Sequence, residues 1–171
     1  MKNRTKFLTL ALLVLTILLS CKKESSENSY YVKFKMNGQW ISYTKVVGEL
    51  GPDLADNTKT DFGLTGNNST SSEVFDISIQ VDGTNLPTGT YNSDAYFMPI
   101  IYVKNANTPS MVSYSLGSAT GKPDSYYEVT LTSITDKVIK GHFTGNYLEN
   151  DFTDDEIVEI TEGDFVIPRI R

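Results

Sequence analysis

Hydrophobic and polar residues alternate along most of the chain after residue 30, with the two-residue period of a half-buried β-strand. The clearest example is residues 74–81, where Phe75, Ile77 and Ile79 share one face and polar residues lie between them. Turn-forming Gly, Pro, Asn and Asp separate such segments, and no helical period is sustained after residue 20. The pattern predicts an all-β protein of about nine or ten short strands, either an antiparallel β-sandwich or a partly open β-barrel.

The best-marked hairpin is predicted around Asn37 and Gly38. Residues 31–36 alternate, and Asn-Gly supplies the two positive-φ positions of a type I′ turn. In the returning strand Trp40 and Tyr43 fall on opposite faces. We expect Tyr43 to be the one outside the core.

Two stretches interrupt the alternation. Between residues 46 and 57 the pattern weakens, and Gly and Pro mark bends. Residues 96–104 are apolar on both parities and contain Pro99. Because proline cannot donate a hydrogen bond to a sheet, this segment is predicted to be an edge strand or a strand beginning near Ile100.

Glycines lie on the apolar parity of the strand predicted after residue 137. Gly141 and Gly145 share the face of Phe143. Inward-facing glycines make room for large aromatic neighbours, so we expect an aromatic ring beside each of them.

The last predicted strand, residues 157–167, changes parity along its length. Val158 and Ile160 share one face, but Phe165 lies on the opposite parity. One extra residue must therefore be absorbed between them, and Gly163 is the expected place for a β-bulge.

Residues 1–20 have the pattern of a secretory signal. Three basic residues precede an apolar run of thirteen residues, which is shorter than the roughly 20 residues needed to cross a bilayer as a helix. The run ends at Leu18, Leu19 and Ser20, followed by Cys21, the only cysteine. This order resembles a bacterial lipoprotein signal, which implies cleavage before Cys21 and attachment of lipid such as palmitate to it. An ordinary signal peptide or an uncleaved anchor is the alternative.

After cleavage, three regions are expected. Residues 21–29 are polar and would form a lipidated flexible tether, and residues 30–171 would form a single β-domain. Without the three basic residues of residues 1–20, the chain has 12 basic and 21 acidic residues, which gives a net charge of −9. Such a charge repels phosphate backbones, so nucleic acid is excluded as a partner. A lipidated Cys21 leaves no thiol for a disulfide.

Three segments carry a family resemblance. They are Gly-Thr-Tyr at residues 89–91, the run from 127 to 143, and Ile-Thr-Glu-Gly-Asp-Phe at 160–165. Together they resemble small lipoproteins of unknown function from the Bacteroidota. The resemblance implies an all-β lipoprotein of the outer membrane in the cell envelope, on either the periplasmic or the surface side. It assigns no functional residue.

Metal and nucleophile chemistry have little support in the sequence. The only histidine, His142, has no second histidine and no free thiol to join it, which argues against zinc and Cys–His sites.

The acidic stretch at residues 149–156 offers Asp151, Asp154, Asp155 and Glu156 as oxygen ligands for calcium. The expected role of this stretch is a solvated loop that protects a sheet edge, and a calcium site is the alternative. No other cofactor is expected.

Ten tyrosines suggest a binding surface. Tyr43, Tyr96, Tyr102 and Tyr126 are candidates for exposed rings on which a sugar or peptide could stack, although tyrosine is also a common strand residue. We therefore expect a non-catalytic, lipid-anchored envelope protein that binds a glycan or an envelope protein. The alternatives are a glycan-acting enzyme with paired carboxylates, which predicts carboxylates in a pocket, and a purely architectural component, which predicts an apolar patch or an unpaired edge strand.

Overall fold

A computed structural model describes residues 29–116, 125–153 and 156–170. The described residues form twelve β-strands and no helix, so the all-β prediction is confirmed and the strand number exceeds the expected nine or ten. The strands are β1 (Tyr31–Met36), β2 (Gln39–Tyr43), β3 (Lys45–Pro52), β4 (Lys59–Asn67), β5 (Glu73–Asp82), β6 (Gly89–Asn92), β7 (Ile100–Lys104), β8 (Val112–Ser115), β9 (Tyr127–Ile134), β10 (Val138–Gly145), β11 (Tyr147–Asn150) and β12 (Ile157–Pro168).

All twelve strands belong to one antiparallel sheet that is not closed into a barrel. The main path runs β3-β4-β5-β7-β8-β11-β12-β10-β9-β6, and β1 joins β12 and β2. Strand β12 serves both halves of this sheet, because its first residues pair with β11 and its later residues pair with β1 and β10. No helix among the described residues is long and apolar enough to cross a membrane.

One hydrophobic core lies between the two halves of the sheet. Phe34 of β1 stands 4.4 Å from Phe75 of β5, measured between ring centroids, and Phe75 stands 5.4 Å from Phe143 of β10. These contacts join strands that are distant along the path of the sheet. The sheet therefore folds over on itself around a shared aromatic centre.

The predicted type I′ hairpin is confirmed. Asn37 and Gly38 have φ values of 48° and 78°, and Met36 pairs with Gln39 across the turn. The expectation that Tyr43 lies outside the core is wrong, because Tyr43 is 2% exposed and Trp40 is 57% exposed. The two-residue turn places Tyr43 opposite the buried Val32, and that register puts Trp40 on the outer face.

The predicted extra residue in the last strand is confirmed, one position before the expected one. Lys33 pairs with Asp164 while Lys35 pairs with Thr161, so β12 has one residue more than β1 over this interval. Glu162 carries the positive φ, 52°, of the irregularity. Gly163 has a different role, since a Cβ there would overlap the ring of Phe143.

The inward glycines of β10 lie against aromatic rings, as expected. A Cβ at Gly141 would meet Phe165, and a Cβ at Gly145 would meet Tyr127. Each missing side chain is thus replaced by the ring of a residue on a neighbouring strand.

Strand β7 begins at Ile100, one of the two arrangements predicted from Pro99. It is not an edge strand, because it pairs with both β5 and β8. Pro99 lies just before the strand and needs only its carbonyl, which accepts a hydrogen bond from Ser78 N at 2.9 Å.

Candidate functional site

Phe97 is the most prominent aromatic residue on the surface around β6. The chain leaves the β5 edge after Asp82, forms β6 in the other half of the sheet, and returns through residues 93–99 to β7. The Phe97 carbonyl accepts a hydrogen bond from Gln80 N at 3.0 Å, which fixes this returning segment to β5. The Phe97 side chain remains 69% exposed. Three depressions, here called the side groove, the cross-strand trough and the apolar groove, are bordered by this one residue.

The side groove, with a volume of about 490 Å³, lies between the two segments that connect β6 to the rest of the sheet. Tyr91 forms part of its wall and is held in place by its hydroxyl, which donates to the Pro87 carbonyl at 2.6 Å. Tyr96 packs edge-to-face on Tyr91, with 5.2 Å between ring centroids. The polar residues of the groove are Lys59, Gln80, Asp82 and Asn85.

Gln80 organises the polar side of this surface. Its Nε2 donates to Asp53 Oδ2 at 2.6 Å and to Asp61 Oδ1 at 3.1 Å, and its Oε1 accepts from Lys59 Nζ at 3.1 Å. The backbone amides of Ala55 and Asp56 hold the pKa of the Asp53 carboxyl below its usual value. Two carboxylates and an ammonium group are therefore held in fixed positions around one amide side chain.

The cross-strand trough, about 290 Å³, crosses the outer face of β3, β4 and β5. Gly63 and Ser78 pair directly with one another and form its floor. Asp61, Gln80 and Phe97 form the adjoining row, since Asp61 pairs with Gln80 and Gln80 forms a bridge to Phe97.

The apolar groove, about 400 Å³, lies on the other side of Phe97. Ile101 and Leu116 line it together with Met98 and Pro99. It extends the surface from the polar trough toward β8.

Two of the four tyrosines proposed as ligand contacts are in the core, so their expected exposure is wrong. Tyr43 and Tyr102 are buried, and Tyr43 donates to Glu73 Oε2 at 3.2 Å. Burial is the main cause of the raised pKa of both hydroxyls, and each is also influenced by the other and by Glu73. The Tyr102 hydroxyl has no partner of hydrogen-bond geometry among the described residues. Strand register explains the error, because Tyr102 pairs with the buried Phe75 and shares its inward face.

The other two tyrosines are partly exposed, as expected, but are not brought together. Tyr96 lines the side groove and the apolar groove. Tyr126 is held by a hydrogen bond from its hydroxyl to Glu128 Oε2 at 3.3 Å and lines none of the three depressions. The four candidate tyrosines therefore do not form a common binding surface, and Phe97 supplies an exposed ring instead.

The acidic stretch is partly engaged in hydrogen bonds within the protein. Glu156 accepts from the Tyr114 hydroxyl at 2.5 Å and from Asn150 Nδ2 at 2.9 Å, and these bonds lower the pKa of its carboxyl. Asp151 accepts from Ser115 Oγ. Asp154 and Asp155 lie outside the described residues. Within the described part of the chain no group of three or more His, Cys, Asp or Glu side chains is placed to hold a metal ion, and the calcium site stays an untested alternative.

His142 lies on the solvent face of β10, as its parity predicted. It pairs with Thr130 and Asp164 in the neighbouring strands and is not part of the surface around Phe97.

The sequence pointed to Tyr96 but not to Phe97 or Gln80. The signal available was the apolar character of residues 96–99 on both parities immediately before a proline. Such a run cannot be fully buried in a strand that begins only after it.

Comparison of the chain with protein-family models, curated proteins and solved structures gave no match. The function of this surface is therefore inferred from its own geometry and from the sequence.

Proposed function

We propose that this chain is a lipid-anchored, non-catalytic binding protein of the outer membrane, and that its ligand lies on the surface around Phe97. The observation that carries this proposal is the exposure of Phe97, 69%, at the meeting point of three depressions. A large exposed aromatic ring at the rim of a groove offers apolar contact area at low entropic cost.

The proposed attachment of the protein to a membrane by lipid rests on residues 1–20, the leader. Its apolar run is too short to span a bilayer and ends directly before Cys21. Acyl chains on this residue would tether the domain stably, because each buried CH₂ contributes about 0.8 kcal/mol.

The arrangement of carboxylates supports binding rather than glycoside hydrolysis. Burial raises the pKa of the Asp76 carboxyl, as a general acid requires. Its counterpart across the trough, Asp61, is four residues further along an adjacent strand, since Asp76 pairs with Thr65. Strand geometry places their Cα atoms about 14 Å apart, so the two carboxyl groups cannot approach the roughly 5–5.5 Å separation of retaining glycosidases. Asp53 and Asp61 lie closer together, because both accept hydrogen bonds from Gln80 Nε2, but the pKa of the Asp53 carboxyl is lowered, whereas a general acid needs a raised one.

A photo-crosslinking experiment tests the proposal. Benzoylphenylalanine is introduced at position 97 in the full-length protein in cells, and at position 152 in a control variant. Phe152 is a matched control because it is 63% exposed and lies in the acidic stretch, away from the three depressions.

We expect a discrete adduct from position 97 that is absent from position 152. Equal labelling from both positions, or no adduct from position 97, would show that this surface has no ligand.

A further inference from the structure

Gly63 differs from most other strand glycines of this protein. At Gly66, Gly141, Gly145 and Gly163 an added Cβ would collide with a neighbouring side chain. At Gly63 the nearest atom would be Glu49 Cβ at 3.9 Å, an ordinary contact, and its backbone does not need a positive φ. Glycine inside a strand lowers stability and commonly marks a place where a ligand or another backbone approaches closely.

The space above Gly63 is the cross-strand trough. Glu49, Gly63 and Ser78 pair in register across three strands, so the two central positions of this row have little or no side chain. The residues two positions before and after this row on each strand form two flanking rows, and the distance between these rows gives the floor a width of about 14 Å. The length of the floor, from β3 to residues 97–99, is also about 14 Å. The floor is thus long and wide enough for an extended chain.

The groups that border the floor are polar and held in place. Asp61 has one carboxylate oxygen fixed by Gln80, and Asp76, in the flanking row beyond the floor, has one fixed by Thr65. Among the described residues, the second oxygen of each of these carboxylates accepts no hydrogen bond. Fixed carboxylate oxygens accept hydrogen bonds from hydroxyl groups without a large entropic cost.

The negative charge around the trough argues against an anionic ligand. Glu49, Asp61 and Asp76 border the trough, and its lining residues include no lysine or arginine. An anionic ligand would be repelled and would lose its hydration without compensation.

Building on the proposed function, we propose that the trough binds an uncharged saccharide chain. The saccharide lies across β3, β4 and β5, with one sugar ring against Phe97. The flat face of the saccharide lies over Gly63 and Ser78, and its hydroxyl groups donate hydrogen bonds to Asp61. A pyranose ring fits these features because it has apolar faces and a hydroxylated edge, as the aromatic end and the polar rim of the trough require.

The experiment uses the lipidated mature protein in detergent micelles and isothermal titration calorimetry. The probes are cello-, manno- and xylohexaose as neutral saccharides, a galacturonic acid hexamer as an anionic one, and an oligolysine peptide as a cationic one. The test variant is Gly63→Val, which fills the floor with a residue favoured in strands. The control is Ser42→Val, an equivalent exposed change on β2.

At least one neutral hexaose should bind the wild type. Gly63→Val should weaken that binding at least tenfold, while Ser42→Val leaves it unchanged, and the melting temperature of neither variant should fall.

Three outcomes would overturn the saccharide assignment: no neutral hexaose binds, Gly63→Val binds as well as the wild type, or only the galacturonate or oligolysine probe responds to Gly63→Val. In each case a specific crosslink from position 97 would still support binding at this surface. Absence of that crosslink would remove the proposed function as well.

Discussion

Asn37 and Glu159 are joined by two hydrogen bonds of 2.8 Å. The backbone N–H of Asn37 donates to the backbone carbonyl of Glu159, and the backbone N–H of Glu159 donates to the side-chain oxygen Oδ1 of Asn37. The residue that turns the first hairpin therefore also ties that hairpin to β12.

This double role predicts different effects for two substitutions. Asn37→Gly keeps the positive φ but loses the side-chain acceptor, and should lower the free energy of unfolding by about 1 kcal/mol. Asn37→Val also forces a β-branched side chain into a positive φ and should cost about 1–3 kcal/mol more. Urea denaturation of both variants measures the difference. Equal stabilities would mean that the turn does not impose a positive φ at this position.

Gly163 is predicted to be intolerant of a single methyl group. A Cβ there would overlap Phe143, and overpacking of this kind costs about 1–3 kcal/mol. Gly63→Ala is the matched control and should be neutral or stabilising by up to about 1 kcal/mol. Thermal unfolding of the pair tests this, and a Gly163→Ala protein as stable as the wild type would contradict the packing described for β10 and β12.

Cys21 is predicted to carry the lipid. Cys21→Ala should abolish incorporation of labelled palmitate in cells and release the protein from the membrane fraction. Replacement of Ser29, at the far end of the tether, by Ala serves as the control and should retain the label. Persistent labelling of Cys21→Ala would exclude lipidation at this residue.

Asp76 is predicted to make stability fall as pH rises. Because burial raises the pKa of its carboxyl in the folded state, the folded protein binds the proton more tightly than the unfolded chain does. Stability is therefore lost from the unfolded pKa, about 3.9, upward until the raised folded pKa has been passed.

Asp76→Asn should remove this loss, so its advantage over the wild type should grow between pH 4 and neutrality. Thr65→Val should enlarge the loss, because the Thr65 hydrogen bond lowers the pKa of Asp76. Denaturation curves at several pH values measure both effects. An advantage of Asp76→Asn that is constant with pH would argue against a raised pKa.

Calcium is predicted to have little effect on stability. Glu156 already accepts hydrogen bonds from Tyr114 and Asn150, so its use as a ligand would disrupt bonds that the fold already makes. Millimolar calcium should shift the melting temperature no more than millimolar magnesium does. A shift specific to calcium, lost when Asp154 and Asp155 are replaced by Asn, would establish a site in the acidic stretch.

Local patterns in the sequence were sufficient for most of the strands, the type I′ turn, the inward glycines and the irregularity in β12. They failed where pairing partners decide the outcome. β3 was missed because inward Gly48 weakens its alternation, although Val46 and Leu50 on the same face are buried. The face of Tyr43 depends on its pairing with Val32, which the two-residue turn sets.

The candidate site was less accessible to prediction than the fold. Its trough depends on the register of Gly63 with Ser78, and its aromatic residue projects from a segment outside any strand. Both features arise from contacts between distant parts of the chain, and periodicity within one segment carries no information about them.

Strand β1, near the start of the domain, pairs with β12 at its end, with Tyr31 opposite Val166. During synthesis β1 can pair with β12 only after the residues of β12 have been made. Contacts of such long sequence separation also form slowly. A ribosome-bound chain that lacks its final dozen residues cannot complete its core. This delay would suit the export proposed for this chain, because an exported polypeptide crosses the membrane before it acquires its native shape.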